Sequence, residues 1–62
     1  MRNDVLTAGL TAIRGADSNS LLRMYDAAKE IVAGPTTLHD RTRADRALRQ
    51  ITEELRRRDI AP

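Results

Sequence analysis

The chain has 62 residues, eleven cationic and nine anionic side chains, and a formal net charge of +2. That length holds one domain, here taken as residues 1–62, and so balanced a charge argues against a strongly basic polyanion binder. Cysteine is absent, which excludes disulfides and thiolate metal sites, and the single histidine, His39, cannot build a zinc site without carboxylates around it.

The apolar residues are aliphatic, and Tyr25 is the only aromatic. Aromatic side chains bury the most area per residue, so a core without them is small for the ordering entropy it must offset. With no covalent or metal staple available, self-association or a protein partner is the expected source of further stability. No apolar run approaches the roughly 20 residues needed to cross a bilayer. The amino-terminal stretch carries Arg2 and mixed apolar residues, but Asp4, Thr7 and Thr11 interrupt it, so the expected location is cytoplasmic. Lys29 is the only lysine among the cations; this preference for Arg matches the composition of high-GC bacterial, plasmid or phage genomes.

The first predicted helix runs from Asn3 to Arg14. Asn3 is a good N-cap and Asp4 favours the positive end of the helix dipole. Val5, Leu6, Gly9, Leu10 and Ile13 follow helical spacing. Gly15 is placed to end the helix in the left-handed conformation. Gly9, beside Ala8 and Ala12, either admits a close helix neighbour or is merely tolerated.

The second helix is expected over residues 18–33, capped by Asp17 or Ser18 and ended by Gly34-Pro35. Leu21, Met24, Tyr25, Ala28, Ile31 and Val32 share one face and Leu22 widens it, as in a central helix with neighbours on two sides. Leu21, Ala28, Ile31 and Val32 are the expected centre of the core.

The third helix is expected over residues 38–58, with Thr37 as N-cap and Asp40 three residues on. Its apolar stripe is Ala44, Leu48, Ile51 and Leu55. This is coiled-coil spacing, but Arg41 and Arg58 occupy the next positions outward, so a short antiparallel pair within the domain is favoured. Arg43, Arg46, Arg49, Arg56 and Arg57 lie opposite. An Arg face can contact phosphates, because the guanidinium is a planar fork of donors. Yet Asp45, Glu53 and Glu54 precede Arg49, Arg57 and Arg58 by four residues, the favourable orientation for helical ion pairs. That spacing describes a solvated, self-neutralised face; Arg43, Arg46 and Arg56 have no acid four residues earlier.

A helix-turn-helix fits poorly, because His39, Asp40, Arg41, Thr42 and Arg43 give the start of the third helix little to pack with. His39 and Asp40 are adjacent, so their side chains diverge and form no dyad. Gly9, Gly15 and Gly34 form no phosphate-binding loop. The expectation is a small all-α domain of three helices, a bundle or a helical hairpin with a short N-terminal helix, open to oligomerisation. It is read as a protein-interaction module or regulator with no catalytic, metal or cofactor site. Candidate partner-binding residues are Arg43, Arg46, Arg56, Leu48, Ile51, Leu55 and Gly9. The alternative is a small nucleic-acid-binding protein using the Arg face of the third helix.

Overall fold

A computed structural model describes residues 9–60. They form α1 (Leu10–Gly15), α2 (Ser18–Ala33) and α3 (Leu38–Arg57), with no strand among the described residues. The fold is the expected all-α one. Residues 3–8 of the expected first helix lie outside the described region. Gly9 is its correction: the residue stands in extended backbone as the N-cap of α1, so no helix runs continuously through it. Gly is the weakest helix former after Pro, which makes it the natural place for such a break.

The caps of α2 and α3 follow from local chemistry. The Asp17 carboxylate accepts from the Ser20 backbone N–H at 3.2 Å and from the Ser20 hydroxyl at 2.6 Å. Thr37 Oγ1 accepts from the Asp40 N–H at 3.0 Å. Each satisfies a backbone donor that has no partner within its helix. The helix ends differ from expectation. Neither Gly15 nor Gly34 adopts positive φ. Gly34 is extended, and a Cβ there would lie 3.1 Å from the Glu30 carbonyl oxygen, so close approach rather than handedness favours glycine at this corner. The left-handed position is Asp59, with φ of 61°. There the Ile60 N–H bonds the Leu55 carbonyl at 2.9 Å and the Asp59 N–H bonds the Arg56 carbonyl at 3.1 Å. This is a Schellman ending of α3, with Asp where Gly is usual.

Helices α2 and α3 form an antiparallel hairpin, since the C-terminus of α3 returns to the N-terminus of α2 at Ser18. Helix α1 packs across the end of α3. Ile13, Leu21, Ala28, Ala47, Ile51 and Leu55 make the buried cluster, and Ile60 folds back onto it. Ala44 is also fully buried. Leu21 and Ala28 are core as expected, whereas Ile31 and Val32 are half-buried. The buried face of α3 passes through Ala44 and Ala47, which let the neighbouring helices come close, and Leu48 packs on the flank of the cluster.

Candidate functional site: the two faces of α3

Helix α3 carries most of the charge in the described chain, and its inner and outer faces use it differently. The inner face buries Glu54, which retains only 9% exposure. Its carboxylate receives Arg58 Nε at 2.9 Å and Arg57 Nη1 at 3.6 Å. The rest of the Arg58 guanidinium spans the fold: Nη2 donates to the Arg14 carbonyl at 2.9 Å and Nη1 to Ser18 Oγ at 3.4 Å. One side chain thus joins the C-terminal turn of α1, the first residue of α2 and the last turn of α3. The carbonyls of a helix C-terminus lack partners within the helix and carry partial negative charge, so a guanidinium suits the end of α1. The planar fork of Arg addresses several acceptors in fixed directions, which a Lys ammonium does not do in the same geometry.

This arrangement corrects the expected self-neutralised surface. Glu54 and Arg58 do pair, but toward the interior. Arg57 pairs with Glu54 at i,i+3 rather than with Glu53. Asp45 and Arg49 do not come within 4 Å to close the pair their spacing allows.

The outer face consequently keeps its arginines in solvent. Arg41, Arg43, Arg46, Arg49, Arg56 and Arg57 are all exposed. Arg43 has an interaction of its own and flanks the row. Thr42, Asp45, Arg46, Arg49 and Gln50 line a shallow hollow of about 360 Å³. Glu53, Arg56 and Arg57 line a second of about 300 Å³. The Thr42 hydroxyl is turned back to the Leu38 carbonyl at 2.9 Å, which leaves the charged groups as the main features of the first hollow.

The candidate residues therefore separate. Arg46 and Arg56 lie on the outer face, in neighbouring hollows. Leu48 is half-buried against the core. Ile51 and Leu55 are fully buried, so in this fold they hold the domain together and present nothing to a partner. Gly9 is exposed, and among the described residues nothing lies within 4 Å of where its Cβ would stand, so no close helix contact engages it there. Sequence reasoning missed Glu54 and Arg58 as interior groups; their i,i+4 spacing signals the pair but not the direction it faces. His39 is exposed near the start of α3. Among the described residues no three His, Cys, Asp or Glu side chains stand close enough to hold a metal ion. No described helix is long and apolar enough to cross a membrane. In comparisons with known proteins, no family model, curated protein or solved structure matches the chain.

Proposed function

We propose that the protein is a small helical interaction module, without catalysis of its own, that docks a protein partner through the outer face of α3 in the cytoplasm. The observation that carries this reading is the division of charge on α3. Glu54 is spent on the interior pair, while Arg46, Arg49 and Arg56 remain outward with no ion pair to any described acid. A surface with unmatched cations attracts an acidic counterpart and sets its orientation more than its affinity. A protein is favoured over nucleic acid because Asp45 and Glu53 line the same hollows. Phosphates repeat along both strands of a duplex, about one per 1.7 Å of axis, and would be brought against these acids.

The test is capture from a lysate of the source organism, with and without nuclease, using wild type and an Arg46→Glu/Arg49→Glu/Arg56→Glu variant. Captured protein that resists nuclease and is lost with the variant is the expected result. Capture abolished by nuclease would transfer the face to nucleic acid. Equal capture by the variant, or a dimeric mass from light scattering that the variant leaves unchanged, would show that α3's outer face is not the docking surface.

A further inference from the structure

The outer face of α3 has a charge order as well as a charge. Arg49 and Arg56 are seven residues apart on one helix, so they project from nearly the same side, about 10.5 Å apart along the axis. Glu53 stands four residues after Arg49 and three before Arg56, which makes it a surface neighbour of both. It is exposed and forms no ion pair with either. Read along the helix, the surface runs cation, anion, cation. Arg46 and Arg57 extend the two cationic ends, within the hollows that also hold Arg49 and Arg56; half-buried Asp45 shares the first hollow, which leaves that end with two cations to one acid.

A uniformly acidic partner matches the two ends of that pattern and opposes its middle. A mixed-charge partner matches all three positions. Resting on the reading of α3 as the docking face, we infer that it recognises a helical segment of mixed charge in the partner protein. Carboxylates seven residues apart face Arg49 and Arg56, and a cation between them faces Glu53. Equal rise per residue on both helices keeps the spacing in step, and the central pair discriminates against all-acidic competitors through like-charge repulsion. Each exposed pair contributes little alone, so selectivity comes from meeting the three positions together.

The experiment is a low-salt NMR titration of the ¹⁵N-labelled full chain with three probes. The first is a synthetic helical peptide carrying Glu at positions i and i+7 with Lys at i+3 and i+4, which serves either helix direction. The second replaces both Lys by Glu, and the third is a mixed-sequence DNA duplex. The expected result is shifts concentrated on the outer face of α3, with the mixed peptide bound about five-fold more tightly than the all-acid one. Glu53→Gln should narrow that gap. Arg49→Gln/Arg56→Gln should weaken the mixed peptide on the order of ten-fold, with the remaining amide positions unchanged as a check on the fold. An all-acid peptide that binds as well as or better than the mixed one would overturn the charge-order inference while leaving α3 a protein-docking face. Tighter binding of the duplex, or no shift on α3 with any probe, would overturn both.

Discussion

Replacing Arg58 by Ala removes a side chain that hydrogen-bonds to residues of all three helices. In the wild type it makes two strong contacts of 2.9 Å, to Glu54 and to the Arg14 carbonyl, and a weaker one of 3.4 Å to Ser18. Without Arg58, Glu54 keeps only Arg57 at 3.6 Å, and that residue's side chain is 65% exposed. Removing one partner of a fully buried pair costs about 3–5 kcal/mol, because the other charge is left without compensation. The Arg58 side chain is 23% exposed, so water reaches part of the vacated space and rehydrates the Arg14 carbonyl. A loss of about 2 kcal/mol is therefore expected, between a surface pair and a buried one. For a domain of this size that lowers the melting temperature by roughly 8–16 °C. Urea and thermal unfolding followed by circular dichroism at 222 nm measure it. Combining Arg58→Ala with Glu54→Gln should cost clearly less than the sum of the single changes, because both remove the same contact. A single variant within about 0.5 kcal/mol of wild type, or strict additivity, would refute the account of Arg58 as the joint between the helices.

Four further outcomes follow from the packing and the caps. Ile51→Ala should cost about 2–5 kcal/mol because Ile51 is fully buried, whereas Leu48→Ala on the flank should cost visibly less; equal losses in urea unfolding would contradict the placement of the core. Asp59→Gly should raise stability by about 0.5–1 kcal/mol by relieving the left-handed conformation of a non-glycine residue, read as a higher urea midpoint at unchanged slope. Thr37→Ala should lose about 1 kcal/mol through the N-cap bond to Asp40, measured in the same way. The hydrogen bonds from the Ser20 hydroxyl and then the Ser20 backbone hold the Asp17 carboxyl below its ordinary value of 3.8. Its contribution is therefore complete above the unfolded-state value and lost as pH falls through the lower folded one, so Asp17→Asn should flatten the acid limb of the stability profile.

What was legible in the sequence was what local chemistry decides. Asp17 and Thr37 cap their helices because a short acceptor side chain before a helical run has its donor within three residues. Ala44, Ile51 and Leu55 face inward because helical periodicity is a property of the segment alone. The misread positions depend on what a neighbouring helix brings. Glu54 looks like a surface residue until Arg58 is seen to be held by Arg14 and Ser18, 44 and 40 residues away in sequence. The buried face of α3 turns toward Ala47 because two alanines admit close approach, a preference that counting large apolar residues does not register. Spacing places Gly9 within a helix and residue type gives Gly15 a left-handed ending, yet the left-handed position falls at Asp59, where Ile60 gains a place against the core.

The interior and exterior of α3 are linked through charge. The sequence supplies α3 with several acids, and charge pairing read by spacing would spread them over the arginines. Packing instead draws Glu54 inward, where it satisfies Arg58 and, less closely, Arg57. The same step that fastens α1 and α2 to α3 thereby removes one acid from the surface, leaving Arg46, Arg49 and Arg56 around Glu53. A net charge of +2 for the whole chain hides this, because net charge sums over faces while recognition depends on the order of charges along one of them. The exposed charge order of α3 is thus a consequence of how the core is held together.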